Sequence, residues 1–473
     1  MRLPIGDGLR GLLDALRTAG GRPFVVGGAV RDALLGKPVQ DIDLEVFGLD
    51  APRLQEILSL HGKVDAVGQS FTVYKLNGLQ GQEGAVDVSL PRRDSKIGQG
   101  HKGFAVRGDP ELTVEEAARR RDFTMNALLL DPVTGDVLDP FHGRDDLAAK
   151  TLRAVDARTF GDDPLRALRA VQLAARFELE VDQATAALCA SMPLAELPAE
   201  RVFGEIEKLL LKARHPSRGF VLMRAWGMLP LIAPELLPLA TTPQDPVWHP
   251  EGDVFTHTLL AIDQAALLLE GLDRPRALAV MLGTLCHDLG KAETTRFEEG
   301  RIRSRGHEEA GLPPTTALLE RWNVHSLQGY DLRGQVLGLV GNHLKPGQLY
   351  DDRSRVSDGA LRRLARKCEP GLLARVARAD CLGRTGDFAP TAMDWFLDRV
   401  TALEVQERPP EPLLRGRDVL ALGVPPGPAV GELVRFVYER QLDGEVTTLD
   451  EAREAARRRL TQLGPTRSPE GLP

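Results

Sequence analysis

Two groups of residues in this chain have the types and spacing of metal-dependent phosphate chemistry. The first lies in "VVGGAVRDALLGKPVQDIDLEV" (25–46), where Asp41 and Asp43 flank Ile42 in a run of strand composition. Side chains two apart on a strand share one face, so the two carboxylates project together. Two like charges that close are unfavourable unless a cation sits between them, and hard oxygen ligands suit Mg2+. Asp87 in "VDVSL" falls on a later strand and completes the set. Such a cluster can hold two metal ions, one activating an attacking hydroxyl and one steadying a leaving phosphate. Upstream, Gly27 and Gly28 let backbone N–H groups approach phosphates, and the helix expected to follow starts where negative charge is favoured.

The second group is spread through "WHPEGDVFTHTLLAIDQA" (248–265), "CHDLGK", "GHEEAG", "GNHL" and "RADCLGRTG". It supplies His257, the adjacent pair His287–Asp288, His307, His343 and Asp380, in that order. Histidines and carboxylates from separate helices suit a hydrolytic site with one or two metal ions. Lys291 reads either as an electrostatic helper of that chemistry or as the end of a helix, the second being the preferred reading.

The elements that must position these residues change character along the chain. "PFVVGG" (23–28), "DIDLEVFG" (41–48), "FTVYKL" (71–76) and "AVDVSL" (85–90) have strand composition, with helical spacing in "AVRDALL" and "APRLQEILSLHG" between them. From about residue 160 the strand signal vanishes, and apolar residues recur at i, i+3, i+4 and i+7. The change of period near 150 marks the main domain boundary. The proline-rich stretches "APELLPLATTPQDPVWHP" (233–250) and "ERPPEPLLRG" (407–416) mark two more. The expected architecture is an α+β chain: an α/β head at 1–150, a helical neck at 151–235, a helical domain at 236–405 and a helical tail at 406–473.

Composition agrees with a soluble enzyme. The 473 residues are 42% hydrophobic and 27% charged, too many for one core and too polar for a membrane protein. The longest apolar run, "ALAVMLGTLC" (277–286), is shorter than a membrane span, and the N-terminus lacks the pattern of a signal peptide. Cys189, Cys286, Cys368 and Cys381 are unpaired in spacing, which argues against a disulfide framework or a zinc ribbon. A cytoplasmic location follows, with no membrane partner. The net charge of −7 means that any polyanion must be gripped by local patches such as Arg119–Arg120–Arg121 or "LRRLARK" (361–367). Each of those alone reads as a solvated helix face.

The order strand, Gly-Gly, helix, loop, Asp-x-Asp resembles the head signature of the class II tRNA nucleotidyltransferases, the CCA-adding enzymes and bacterial poly(A) polymerases of the polymerase-β superfamily. "RRDFTMNALLLD" (120–131), "LDPFHGRDDL" (138–147), "DDPLRALRAVQLAARF" (162–177) and "ERVFGEIEKLL" (200–210) resemble further motifs of that family, in its order. The resemblance implies a polymerase-β-like head and template-independent addition or repair of the 3′-CCA of tRNA from CTP and ATP. It assigns Asp41, Asp43 and Asp87 to catalysis, with Asp41 and Asp43 holding Mg2+. Gly27, Gly28, Arg31, Arg121, Asp122, Asn126, Asp163, Arg166 and Arg169 would bind nucleotide. Among them Arg121 would meet the triphosphate and Asp122 the sugar hydroxyls. Asp163 and Arg166 would imitate the pairing edge of a template base, an aspect that i,i+3 spacing on a helix face permits. The bland reading of "DDPLR" is a capped helix start with an internal salt bridge. The family writes Glu where Asp162 stands, which bears on how Arg166 is oriented.

The second group resembles the HD phosphohydrolase superfamily, and "WHPE" and "GRTG" resemble the HD domains fused behind such heads in bacterial multifunctional CCA proteins. That resemblance makes His287 and Asp288 catalytic. It makes His257, His287, Asp288, His307, His343 and Asp380 ligands of a divalent metal of unknown identity, acting on 2′-phosphates and 2′,3′-cyclic phosphates. "LLRGRDVLALGVPPGPAVGELVRFVYERQLDGEV" (413–446) resembles the C-terminal element of the same nucleotidyltransferases, with a rigid turn at Pro425–Pro428. The undeleted segment 89–118 favours full CCA addition over the alternatives, which are a CC-adding, A-adding or poly(A)-adding enzyme. A phosphohydrolase whose head only binds RNA is the reading from a different class. The oligomeric state is open.

Overall fold

The computed structural model describes Leu3 and residues 5–39, 41–66, 73–81, 84–96 and 104–463. The chain falls into two compact units, one made of 1–209 with 218–231 and the other of 210–217 with 232–473. The first begins with the strands β1 (Arg22–Val26), β2 (Asp43–Phe47), β3 (Lys63–Ala66), β4 (Val73–Asn77), β5 (Val86–Ser89), β6 (Arg92–Lys96), β7 (Phe104–Gly108), β8 (Leu129–Leu130) and β9 (Val137–Leu138). Seven of them form one sheet in the order β3-β4-β5-β2-β1-β8-β9, while β6 and β7 pair apart as a hairpin. Strands β1 and β2 are buried beyond their first residue, which is why they read as apolar runs rather than alternating ones. Phe24 and Phe47 meet edge to face at 5.7 Å, and with Val26, Ala117, Ala118 and Leu129 they build the core on one side of the sheet.

Strand β2 is shorter than "DIDLEVFG" suggests. It starts at Asp43, so Asp41 precedes the strand rather than sharing it. The reason lies in its neighbours. On one side β1 stops at Val26, where the chain turns at Gly27 into the helix Gly28–Leu34. On the other side β5 starts at Val86, and the amide of Asp87 reaches back to the carbonyl of Ile42 at 3.3 Å. Nothing is left to pair with Asp41. Similarly "FTVYKL" yields a strand at Val73–Asn77, its first two residues lying outside the described ones.

The rest of the first unit is helical, led by Leu165–Phe177 and Ala199–Lys212, with one short parallel pair, Thr151–Leu152 beside Glu180–Val181. The helix "DDPLR" introduces starts at Leu165, leaving Asp163 ahead of it, its side chain accepting from the Leu165 amide at 3.1 Å.

The second unit packs the helix Val254–Ala266 against Pro370–Gly383, with Arg274–Cys286 and Leu332–Val340 beside them. It also contains a hairpin, Arg296–Glu298 with Arg301–Arg303. Strand is not expected this far along the chain. Glu299 and Gly300 both have positive φ, +50° and +76°, the two-residue turn whose twist matches paired strands. The tail helices Gly416–Ala421, Pro428–Leu442 and Leu449–Leu463 enclose their own apolar cluster of Val419, Leu433, Val437 and Ala452. Arg363 ties it to the preceding helices through Glu439 at 2.8 Å and Asp443 at 2.6 Å. The four cysteines are free and buried. No helix among the described residues is long and apolar enough to cross a membrane.

Candidate active sites

In the head, the parallel pairing of β2 and β5 sets Asp43 directly opposite Asp87. Burial first, then Asp87 and to a smaller degree Asp41, hold the Asp43 carboxyl above its usual range, while Arg121 pulls it down. The loop Asp41, the strand Asp43 and the strand Asp87 therefore act on one another, although Asp41 is not on the strand. Arg121 also reaches the phosphate-type turn: a Cβ on Gly27 would lie 3.0 Å from its Nη1, and Gly27 itself has φ +70°. Only glycine takes that backbone conformation readily.

Behind these groups runs a chain of polar contacts. Arg31, buried, donates to the side-chain oxygen of Asn126 at 2.7 Å, and Asn126 donates to Asp122 at 3.0 Å. The other oxygen of Asp122 accepts from Arg169 at 2.7 Å. Burial alone would raise Asp122, but Arg169 and the hydrogen bonds from Asn126 and the Phe123 amide hold it below the usual carboxylate range. Arg31, Asn126, Asp122 and Arg169 thus form one network, with Gly28 adjoining it through Arg31.

Asp163 and Arg166 do not pair with each other here. Asp163 accepts from Arg201 at 2.8 Å, and Arg166 donates to the carbonyls of Thr159 at 2.7 Å and Arg120 at 2.6 Å. The side-chain salt bridge of the bland "DDPLR" reading does not form: Asp163 lies ahead of the helix, and its carbonyl accepts from the Arg166 amide instead, at 3.0 Å. Sequence reading missed two partners. Arg201 sits in "ERVFGEIEKLL", which was recognised only as a motif. Glu45, fully buried in β2, accepts from Arg120 at 2.6 Å and pairs with Arg121 at 3.4 Å. A carboxylate between two apolar residues, Leu44 and Val46, in a buried strand was its signal.

In the second unit His257, His287, Asp288, His307, His343 and Asp380 converge in one buried centre. Nδ1 of His287, His307 and His343 approaches the carbonyls of Thr284, Ser304 and Val340 at 2.7, 2.7 and 2.8 Å. A carbonyl only accepts, so each Nδ1 carries the proton and each Nε2 presents a lone pair. Nε2 of His307 and His343 then face each other at 3.1 Å, and Nε2 of His287 has no hydrogen-bond partner among the described residues. Facing lone pairs repel unless a cation lies among them; this donor set fits a divalent metal. His257 links Glu251 at 2.7 Å to Asp380 at 3.0 Å.

The charges agree. Burial, His307 and His287 push His343 down to about 3. Burial opposes the ionised carboxylates, but His287 and Lys291 hold Asp288 well below its usual range, and Arg384 and His257 do the same for Asp380. Lys291 does not end a helix as expected. It starts the short helix Lys291–Thr294 and buries its ammonium 2.7 Å from Asp288 and 2.8 Å from Gln244. Gly290 lets the segment that carries His307 pack against the one that carries His287 and Asp288, since a Cβ there would fall 2.1 Å from the carbonyl of His307. A cleft of ≈ 250 Å³ opens onto the centre, lined by Trp248, Asp288, Lys291, His343 and Arg384 among others. Sequence reading also missed Glu251 and His249, a second carboxylate–histidine pair at 2.9 Å beside His257. Among the described residues, all groups of three His or carboxylate residues with ligand atoms within 4.8 Å lie in this unit, and Asp41, Asp43 and Asp87 form no such group.

A Gly-Gly helix start beside facing carboxylates on a mixed sheet, followed by helices, defines a nucleotidyltransferase of the poly(A) polymerase class. Residues 23–153 match the poly A polymerase head domain, and 177–239 match the probable RNA and SrmB-binding site of polymerase A. The chain is 38% identical over 377 residues to a multifunctional CCA protein of Laribacter hongkongensis, spanning 77% of this chain and 86% of the relative. It is 36% identical to one of Xanthomonas campestris pv. campestris, spanning 86% and 95%. The chain belongs to the multifunctional CCA protein family. Its fold is also that of the Bacillus stearothermophilus CCA-adding enzyme solved with CTP, at a TM-score of 0.63, 23% identity and coverage of 97% of this chain and 99% of that one.

Proposed function

We propose that this chain adds and repairs the 3′-terminal CCA of tRNA with CTP and ATP, and that its second unit is a metal-dependent phosphohydrolase acting on phosphorylated RNA ends. The observation that carries the first activity is the register of Asp43 opposite Asp87, beside the Gly27–Gly28 helix start. Asp41 and Asp43, with Asp87, hold Mg2+, which supplies activation of the attacking 3′-hydroxyl and charge neutralisation at the α-phosphate. The site is looser than the second centre, as suits carboxylates that share their ions with a triphosphate. Gly27 and Arg121 face the phosphates, and Asp122, fixed by Arg169 and Asn126, faces the sugar. Asp163 and Arg166 choose the base; each already has partners, so reading a base exchanges the bonds to Arg201 and to the Thr159 and Arg120 carbonyls for bonds to its pairing edge.

In the second unit His257, His287, Asp288, His307, His343 and Asp380 hold a divalent ion, which supplies Lewis-acid activation for hydrolysis. Lys291 and Arg384 line the cleft as cations for the phosphate. The free cysteines suit a reducing cytoplasm. The test is incorporation into tRNA lacking CCA, with each triphosphate alone and both together. Two C followed by one A is the expected product. Addition of A only, onto tRNA ending in CC, would overturn the reading.

A further inference from the structure

Two exposed aromatic rings beside the second centre have no role so far. Trp248 is 51% exposed and lines the cleft onto that centre, and Phe297 is 75% exposed. Phe297 lies on the hairpin, directly opposite Ile302. Opposed residues of an antiparallel pair share a face, and Ile302 lines the same cleft. The ribbon face carrying Phe297 is therefore the face turned to the cleft.

Asp245 fastens the two rings to one rim. One of its carboxylate oxygens accepts from Arg301 of the hairpin at 2.8 Å, and the other accepts from the Val247 amide at 3.0 Å. Its carbonyl accepts from the Trp248 amide at 3.1 Å. Lys291 and Arg384 line the same cleft, and Nε of Arg384 has no hydrogen-bond partner among the described residues. Exposed Arg296 adjoins Phe297 on the ribbon. Cations at the floor with flat rings above them match a ligand that has phosphates below and bases above. Aromatic rings bind single-stranded nucleic acid in this way, through stacking that tolerates any base.

From this we infer that the second centre takes the terminal nucleotides of single-stranded RNA. Trp248 stacks on the base of the nucleotide whose phosphate reacts, and Phe297 stacks on the base before it. These rings give the centre its preference for an RNA end over a simple phosphate ester. The inference rests on the phosphohydrolase reading. With a 2′,3′-cyclic phosphate, the oxygen of water bonds to phosphorus, one ring P–O bond breaks, and a proton of that water passes to the ribose oxygen released.

The test compares full-length protein with its Trp248→Ala and Phe297→Ala variants, each loaded with the same divalent metal. The substrates are a short oligoribonucleotide ending in a 2′,3′-cyclic phosphate, the matching mononucleotide, and bis-p-nitrophenyl phosphate, which has no base. For Trp248→Ala, kcat/KM on the oligonucleotide should fall by about fivefold or more relative to the baseless ester, the effect of losing one stacked base. For Phe297→Ala the fall should appear on the oligonucleotide relative to the mononucleotide. Equal changes on all three substrates, or none, would overturn the clamp. Binding is read separately as quenching of the fluorescence that Trp248→Phe removes. If the wild type hydrolyses nothing, the phosphohydrolase reading fails, and the clamp still stands or falls on whether the oligonucleotide quenches Trp248.

Discussion

The two candidate sites of this chain are built in opposite ways. The head leaves Asp41, Asp43 and Asp87 at the open ends of two central strands, where partial burial and then the neighbouring carboxylates hold Asp43 above its usual range. The second centre buries six candidate ligands and fixes three of its histidines through backbone carbonyls. A site that shares its ions with a triphosphate can stay open, because the substrate completes it. A site that owns its metal must pre-orient its ligands, and the cost of burying them is offset when the ion binds.

The largest test of this contrast is to remove one head carboxylate. Asp43→Ala should lower nucleotide addition by about a thousandfold or more, as expected when charge stabilisation worth several kcal/mol is lost. Hydrolysis of a phosphate ester by the second unit should persist. Loss of both activities together would show that the two sites are not independent. Next in size is Glu251→Gln, which takes the carboxylate acceptor from Nδ1 of His257. Such supporting contacts are worth about 10–100-fold in metal affinity. Metal content measured after dialysis against a chelator should fall accordingly, with CCA addition unchanged.

The sequence made much of this legible, because the reacting residues come in short ordered motifs. Strands β1, β2, β4 and β5, the Gly-Gly turn and the set from His257 to Asp380 could be placed from type and spacing, whereas β3 and β6 to β9 could not. What escaped depends on long-range register. That Asp41 falls off the strand follows from where β1 and β5 end, which local composition does not encode. That Asp163 binds Arg201, 38 residues away, cannot be read from an i,i+3 rule. Of the two readings of Lys291, helix end or electrostatic helper, the preferred first one fails, because the side chain turns inward onto Asp288 and Gln244. The hairpin at 296–303 was hidden in a charged stretch whose only clue was Glu299–Gly300.

Glu45 extends the comparison to the residues behind each site. It supports the head as Glu251 supports the second centre, but by holding Arg120 and Arg121 instead of a metal ligand. Arg120 in turn offers its carbonyl to Arg166. Glu45→Gln leaves two guanidinium groups without their countercharge. Both are partly exposed, so the loss should sit near the lower end for a broken buried pair, about 3 kcal/mol by denaturant unfolding. If Glu45 also orients the arginines, KM for CTP and ATP should rise while ester hydrolysis stays level.

The smallest change is Gly27→Ala, and it separates backbone geometry from charge. A methyl group at φ +70°, ψ −129° costs about 1–3 kcal/mol of backbone strain. It also lands 3.0 Å from Nη1 of Arg121, close enough to displace that guanidinium by a few tenths of an ångström. The sheet on either side is untouched, because β1 ends at Val26. The variant should therefore fold with a modest loss of stability and show a raised KM for both triphosphates. The second centre has no residue from this turn, so its metal content should match the wild type. A Gly27→Ala enzyme with normal KM for CTP and ATP would mean that the turn does not approach the phosphates. The case for the head would then rest on Asp41, Asp43 and Asp87 alone.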